Sequence, residues 1–217
     1  MGAFLSRREL SVELTTDSPD CQAEVVLPGS ALYLRHLLTP AECADFRRLM
    51  DSAKNVIDIG TDGKSYRYCR RAVSRQEEAM AVLWPRVRRV MEEAGLLGLG
   101  AKEGSDWQAT GLNELVRVVS YPPGGKFDPH CDSSYSRGVE ERSWWTLNIY
   151  LNTVLEEDHG ATAFLGGQEE VSVQPEEGAG LLFYQPGLLH EGRTLLKGEK
   201  WLLRTDIIFC RLESVTS

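Results

Sequence analysis

A run of short β-rich segments, separated by Gly and Pro turns, fills the chain from Gly111 onward. The segments favour β-branched and aromatic residues, and no helical spacing of apolar residues lies between them. A parallel α/β sheet needs a helix between successive strands, so the pattern predicts an antiparallel sandwich or jelly roll. The predicted strands span residues 114–121, 143–152, 161–165, 171–174, 180–184 and 201–209.

Two helices are predicted before these strands. Thr39 and Glu42 form a capping box around Pro40, and apolar residues at helical spacing extend the first helix over 40–54. A second capping box, Ser74-Arg75-Gln76-Glu77, opens another helix that ends at Gly95. Neither helix carries a group of residues that suggests a site.

The length of 217 residues suits one domain with a substantial core. We expect a single α+β domain over 1–217, with a double-stranded β-helix (jelly roll) core at 111–212. Residues 1–110 supply a lead-in, with one strand at 23–27, and the supporting helices.

Net charge and cysteine usage limit the classes of partner and the cellular locations to be expected. The chain has 24 Lys and Arg against 32 Asp and Glu, a net charge of −8, which disfavours nucleic acid as a partner. Its five cysteines form no Cys-x-x-Cys pair, so an intracellular location, cytoplasmic or nuclear, is expected. Gly2 and Ser6 satisfy a weak myristoylation pattern, for which chance is the favoured explanation, and no apolar run is long enough for a transmembrane segment.

One grouping has the spacing of metal ligands. On a strand-like backbone His130 and Asp132 share a face, and His190 lies in LLHEG, a short apolar strand end followed by a Glu-Gly turn. Two imidazoles and one carboxylate form the facial set that binds Fe(II) and leaves positions open for oxygen chemistry. A His-x-Asp pair alone is more typical of a structural histidine beside a carboxylate. His36, in the apolar stretch LYLRHLL, suits packing, and His159 suits a solvated turn.

The surrounding motifs resemble the 2-oxoglutarate and Fe(II)-dependent oxygenases of the prolyl 4-hydroxylase-like group, over residues 115–209. The matching pieces, in order, are YPPGGKFDPHCD, TLNIYLN, HGATAFLGG, PEEGAGLLFY, LLHEG and GEKWLLRTDIIF. The first has one extra residue in its turn, and Ala161 replaces a glycine of the family pattern. The resemblance implies that His130, Asp132 and His190 are the iron ligands and the catalytic centre. It also implies Fe(II), 2-oxoglutarate and O2 as cofactors, with ascorbate as a possible reductant.

The co-substrate needs a cation for its distal carboxylate, and the last strand offers Lys200 and Arg204 on one face. Lys200 follows His190 by ten residues, the register of the anchoring lysine in prolyl 4-hydroxylases. Arg204 has the planar fork that suits a carboxylate, although a structural ion pair with Asp206 is an alternative. The sequence leaves the choice open.

Two tyrosines are further candidates for binding the co-substrate. Tyr121 leads into the iron ligands, and Tyr150 lies on TLNIYLN two residues after Asn148. Their hydroxyl groups can donate hydrogen bonds, but core packing explains both positions equally well.

The substrate is the least determined part. Two segments, expected as loops over the iron, combine arginines with aromatic residues: SYRYCRRAVSR at 65–75 and SSYSRGVEERSWW at 133–145. They suit an acidic or peptide-like substrate, or they are solvated arginine faces. The expected reaction is hydroxylation, or a related oxidation, of an unactivated C–H bond in a prolyl or amino-acid-like group, on a protein or in a small molecule. The oligomeric state is not predicted.

Two other classes compete with this assignment. A catalytically silent jelly-roll protein that binds a metal or ligand would have lost a ligand or the cationic anchor, and both are present here. A cupin-like enzyme would need three or four imidazoles in its metal site, which His36 and His159 are not placed to supply.

Overall fold

A computed structural model describes residues 11–16, 20–52, 56–98, 106–167 and 169–212. The myristoylation pattern at Gly2 and the predicted helix end at 53–54 lie outside these residues. Two helices are described, α1 (Pro40–Ser52) and α2 (Glu77–Glu93), with a short 3-10 turn at Glu156–Asp158. Neither helix, in the ranges that the structure describes, has the length and apolar character needed to cross a membrane.

The described strands form one mostly antiparallel arrangement. In chain order they are β1 (Gln22–Leu27), β2 (Ala31–Arg35), β3 (Ile57–Ile59), β4 (Arg67–Arg75), β5 (Trp107–Leu112), β6 (Leu115–Tyr121), β7 (Lys126–His130), β8 (Glu141–Tyr150), β9 (Thr162–Phe164), β10 (Val171–Val173), β11 (Gly180–Tyr184), β12 (His190–Gly192) and β13 (Lys200–Arg211).

The strands divide into a major and a minor sheet. The major sheet has the order β1-β2-β11-β8-β13-β6-β4, and the minor sheet has the order β7-β12-β9-β10. Strand β4 pairs with both β6 and β7 and joins the two sheets into a nearly closed barrel. The predicted α+β jelly roll is confirmed.

Two hydrophobic cores lie on opposite faces of the major sheet. The outer face packs against α1 and α2 through residues such as Phe46, Leu83 and Leu203. The inner core fills the barrel between the sheets, where Tyr150, Phe164 and Phe183 meet. Because side chains alternate along a strand, each central strand contributes to both cores.

The first capping box forms as predicted. The backbone N–H of Thr39 donates to Glu42 Oε2 at 2.8 Å, and the N–H of Glu42 donates to Thr39 Oγ1 at 3.2 Å. The second box is wrong, because Ser74 belongs to strand β4 and helix α2 begins only at Glu77. Strand pairing with β6 fixes Ser74 in an extended conformation and outweighs the local capping preference.

The N-terminal part of the chain contributes strands to the barrel. Strand β1 covers the predicted strand at 23–27, whereas β2, β3 and β4 were not predicted. Residues 67–75, expected as part of a loop, form β4 in the middle of the arrangement. Four arginines in nine residues concealed this strand, since arginine is not a marker of β structure.

A buried ion pair ties the helices together behind the major sheet. Arg86 donates to both carboxylate oxygens of Glu42, at 2.8 and 3.1 Å, and also to the carbonyls of Thr15 and Leu37. The side chains are only 2% and 3% exposed. Burial alone would raise the pKa of Glu42, but hydrogen bonds from Arg86 and from backbone N–H groups lower this pKa to about 2.

We predict that Glu42→Ala lowers the free energy of unfolding by about 3–5 kcal/mol, because it leaves the Arg86 guanidinium buried without its carboxylate. Urea denaturation at pH 7 measures the loss. The control is Glu24→Ala, which removes an exposed partner of Arg35 and should leave the free energy of unfolding nearly unchanged, because an exposed ion pair is screened by solvent. Equal effects of the two substitutions would contradict the prediction.

Candidate metal and co-substrate site

Two of the predicted ligands lie opposite each other in the minor sheet. Strands β7 and β12 pair so that His130 faces His190 directly, and their ring centroids are 4.3 Å apart. Asp132 follows the end of β7 by two residues. One ligand atom from each of the three residues lies within 4.8 Å of the others, so the sequence-predicted set converges.

Backbone carbonyls fix the orientation of both imidazoles. His130 Nδ1 lies 2.8 Å from the carbonyl oxygen of Asp128, and His190 Nδ1 lies 2.9 Å from that of Leu188. A carbonyl only accepts, so Nδ1 carries the proton and Nε2 presents its lone pair towards Asp132. Burial lowers the pKa of His130 to about 4, which keeps this imidazole neutral and able to bind a metal.

The carboxylate of Asp132 is held from two sides. Thr146 Oγ1 donates to Oδ2 at 2.7 Å, and Arg204 Nη1 lies 2.9 Å from Oδ1. Asp132 Oδ1 lies 3.7 Å from His130 Nε2, and its Oδ2 lies 3.9 Å from His190 Nε2. The donor set of two oriented imidazoles and one oriented carboxylate fits a divalent transition metal with open positions.

Aromatic rings pack around the two histidines. Phe127 stacks on His130 with ring centroids 3.5 Å apart, and Phe183 contacts His190 edge-on at 4.7 Å. These contacts restrict both imidazoles, so the geometry is prepared by the protein itself.

The ligand set opens into a cavity of about 430 Å³, called here the inner pocket. Lys200 and Arg204 both line it, as strand alternation predicted. Lys200 is 3% exposed, and its Nζ donates to the carbonyl of Gly160 at 2.6 Å. Within the described residues no carboxylate pairs with this ammonium group, and burial lowers the pKa of Lys200 to about 7.

Arg204 is engaged differently. Its Nη1 contacts Asp132, its Nη2 lies 3.4 Å from Asp206 Oδ1, and its buried Nε has no hydrogen-bond partner. The ion pair with Asp206 that the sequence suggested is present, together with a stronger one to a candidate metal ligand.

The two candidate tyrosines have different surroundings. Tyr121 lines the inner pocket and lies opposite Lys200 in the register of β6 and β13. Tyr150 is fully buried in the inner core, where its hydroxyl donates to Thr162 Oγ1 at 3.0 Å. The Lys200 Nζ lies 5.5 Å from the Tyr121 ring centroid and 5.7 Å from that of Tyr150. Burial raises the pKa of both phenols, so they stay protonated.

The alternation of side chains along strand β4 places its arginines in different surroundings. Arg67 and Arg71 point into the inner pocket. Arg70 lies on the opposite face and pairs with Asp58, and Arg75, at the exposed end of the strand, pairs with two glutamates.

The segment after Asp132 contributes less than expected. Arg137 pairs with Glu141 and Glu114, while Arg142 lies over the rings of Trp107 and Trp144. Tyr135, with the two serines before it, lines the inner pocket. Both tryptophans of this segment, Trp144 and Trp145, are buried in the outer core.

Sequence reasoning missed two residues of this region. Arg117 on β6 lines the inner pocket, and Thr146 on β8 orients Asp132. Arg117 shares the alternating face of Tyr121, which is a signal that the sequence contained. His159 is exposed, as expected for a solvated turn, whereas the expected packing of His36 is wrong. His36 is exposed in a turn with a φ of 56°.

The model of the 2OG-Fe(II) oxygenase superfamily matches residues 116–205. This range contains His130, Asp132, His190 and Lys200, and the resemblance seen in the sequence is confirmed. The matched segment is a 2OG-Fe(II) oxygenase domain, and together with the His-Asp-His ligand set it supports a 2-oxoglutarate-dependent dioxygenase that uses Fe(II), 2-oxoglutarate and O2. No curated protein sequence matches the chain.

Solved structures show the same prolyl 4-hydroxylase-like fold. The viral collagen prolyl hydroxylase of Paramecium bursaria Chlorella virus-1, in complex with 2-oxoglutarate, superposes with a TM-score of 0.59 at 19% identity, covering 86% of this chain and 99% of its own. A Pseudomonas putida prolyl-4-hydroxylase gives 0.60 at 18% identity, with 84% and 92% covered. A Trichoplax adhaerens prolyl hydroxylase, bound to a hypoxia inducible factor peptide, gives 0.58 at 14% identity, with 82% and 83% covered. At these identities the similarity establishes the fold.

We predict that His130→Ala and His190→Ala each weaken binding of Fe(II) by at least about 100-fold, because each removes one of three ligands. Anaerobic calorimetric titration measures the affinity. The control is His159→Ala, an exposed histidine that should leave binding unchanged. Retained affinity in both ligand variants would exclude the triad as the metal site.

Proposed function

We propose that the protein hydroxylates an unactivated C–H bond of a prolyl or amino-acid-like group, and that 2-oxoglutarate is converted to succinate and CO2. The observation that carries the proposal is Lys200. A buried ammonium group without a carboxylate partner, in the same pocket as the ligand set, is costly unless a ligand supplies the anion.

In this proposal His130, Asp132 and His190 hold Fe(II). Their Nε2 atoms and carboxylate converge, and their outer contacts already fix the tautomers and the carboxylate plane. When bound, Fe(II) and 2-oxoglutarate supply the activation of O2 and the oxidation of the C–H bond.

Lys200 is the proposed anchor for the distal carboxylate of 2-oxoglutarate. Arg204 has the better geometry for a carboxylate, but its Nη1 is occupied by Asp132. We therefore assign Arg204 to positioning Asp132, and Tyr121, next to Lys200, to the co-substrate wall. For Tyr150 the bond to Thr162 favours packing beside the anchor.

The protein's own residues perform three tasks in the reaction. The barrel excludes bulk water from the inner end of the pocket, where Tyr121 and Lys200 lie. Arg204 and Thr146 hold the carboxylate of Asp132, so that it does not rotate during turnover. Both imidazoles direct Nδ1 to a backbone carbonyl, which leaves Nε2 available for the metal.

A catalytically silent binding protein is the alternative. It would keep the ligand set without needing a co-substrate anchor, so the unpaired Lys200 argues against it. The two functions differ in whether succinate is formed.

We expect the wild-type protein, given Fe(II), ascorbate, 2-oxoglutarate and air, to release succinate, and His130→Ala to release none. Lys200→Met should lower succinate formation at least about tenfold at limiting 2-oxoglutarate, because the charged contact is lost. Lys197→Met, an exposed lysine three residues earlier, is the matched control. Metal binding without succinate, across a panel of prolyl peptides and amino acids, would establish the silent alternative.

The pH dependence of co-substrate binding follows from Lys200. Its pKa of about 7 means that the free protein loses this charge above pH 7, whereas a bound carboxylate favours the protonated form. Binding of 2-oxoglutarate therefore takes up a proton above pH 7, and the Kd should rise by up to about tenfold per pH unit between 7.5 and 9.5. Anaerobic calorimetry at several pH values measures this Kd. A Kd that rises equally in Lys200→Met would refute the assignment.

A further inference from the structure

The inner pocket contains more cationic side chains than are needed to bind 2-oxoglutarate and to orient the metal ligands. Five cationic side chains line it: Lys200, Arg204, Arg117, Arg71 and Arg67. Arg204 pairs with Asp132 and Asp206, and Arg117 pairs with Asp206 at 3.4 Å. Lys200 is assigned to the co-substrate. In the described part of the chain, Arg67 and Arg71 pair with no carboxylate.

Arg67 is nonetheless satisfied by other contacts. Its guanidinium lies 4.3 Å from the Phe127 ring centroid, and its Nε contacts Cys69 Sγ at 3.1 Å. Arg71 is different, since its side chain makes no hydrogen bond or ion pair to any described residue. The side chain is partly exposed to the pocket, and its Nε is buried without a partner among these residues. Burial and the like charges of Arg67, Arg117 and Arg204 lower the pKa of Arg71. A guanidinium whose Nε is buried without a partner, and which lies among like charges, is stabilised when an anionic ligand pairs with it.

The position of Arg71 is specific to the pocket. Arg70, its neighbour in sequence, points outward, is half exposed and pairs with Asp58. Arg71 lies opposite Val119 on β6, so alternation directs it inward with Cys69 and Arg67. The arginine-rich sequence is therefore not uniformly a solvated face.

An unpaired acceptor lies in the same pocket. Asn148 Oδ1 on β8 is buried without a hydrogen-bond partner among the described residues. Asn148 is the cross-strand partner of Arg204 on the neighbouring strand β13. A complementary ligand presents an anion to the arginines and an N–H or O–H donor to the amide. A planar carboxylate matches the guanidinium fork, and a free amino acid carries both groups.

We propose that Arg71, flanked by Arg67 and Arg117, binds a carboxylate of the substrate, and that the substrate is a small free amino or imino acid. This inference rests on the proposed function, because it names the substrate of the same site. An internal residue of a peptide has no α-carboxylate, so it would leave Arg71 unpaired. The cavity of about 430 Å³ has the size of a small-molecule site.

Binding of free amino acids tests the proposal without turnover. The wild-type protein is loaded with Mn(II) and N-oxalylglycine, an unreactive analogue of 2-oxoglutarate, under anaerobic conditions. Thermal shifts with the proteinogenic amino acids and L-pipecolate identify the strongest ligand, and calorimetry compares it with its carboxamide. We expect Arg71→Gln to weaken binding of the acid about 10- to 100-fold, to bind the amide as weakly as the wild type does, and to bind N-oxalylglycine normally.

Arg70→Gln is the matched control, and it should bind the acid like the wild type. Three results would overturn the proposal: no free amino acid bound in an Arg71-dependent way, tighter Arg71-dependent binding of inorganic phosphate, or tighter binding of a capped prolyl peptide. Loss of N-oxalylglycine binding in Arg71→Gln would also overturn it, since Arg71 would then belong to the co-substrate site.

A stability measurement separates ligand binding from a structural role. Without ligands, Arg71→Gln should have a Tm equal to or above that of the wild type, because an unpaired like charge is removed. A Tm lower by several degrees would give Arg71 a structural role and overturn the proposal. Succinate formation is scored separately. Arg71-dependent binding without succinate refutes the proposed function alone, and succinate with Arg71-independent binding refutes this inference alone.

Discussion

The two-residue period of strand β13 is the constraint on which the rest of the structure depends. One face of this strand places Leu203, Ile207 and Phe209 in the core beneath the helices. The other face carries Lys200 and Arg204 into the pocket. Because the outer face is fixed by burial, a register slip of one residue would bury charge and expose the core. Packing on the helix side therefore sets the positions of the charged groups on the site side.

The charge of the inner pocket is opposite in sign to the net charge of the chain. The protein carries a net charge of −8, yet its pocket concentrates a lysine and four arginines. Among the residues that the structure describes, Asp132 and Asp206 are the carboxylates that pair with these cations. A low-dielectric cleft of one sign focuses its field, so small anions are drawn to this pocket while polyanions are repelled by the remaining surface.

Much of the fold could be predicted from the sequence, because the strands after Gly111 are rich in β-branched residues and bounded by turns. The strands that escaped prediction had a reason. Strand β4 is rich in arginine, and strand β3 has only three residues. The Ser74 capping box failed because long-range pairing with β6 decided its conformation. Local patterns do not contain this information.

The candidate site was partly predictable for a similar reason. His130 and Asp132 are two residues apart, so their shared face follows from backbone geometry alone. That Arg204 contacts Asp132 while Lys200 lacks a carboxylate depends on contacts between strands distant in the sequence. The same holds for Arg71, whose neighbours Arg117 and Arg204 come from two other strands.

The shortness of strand β12 has a mechanical consequence. It has three residues, and a register irregularity interrupts its pairing with β7 between His190 and Gly192. Few backbone hydrogen bonds hold β12, so we expect the minor sheet to open more readily than the longer strands of the major sheet. A metal bound by His130 and His190 would act as a cross-link between these two strands. Ligation would then rigidify a wall of the barrel that few backbone hydrogen bonds hold.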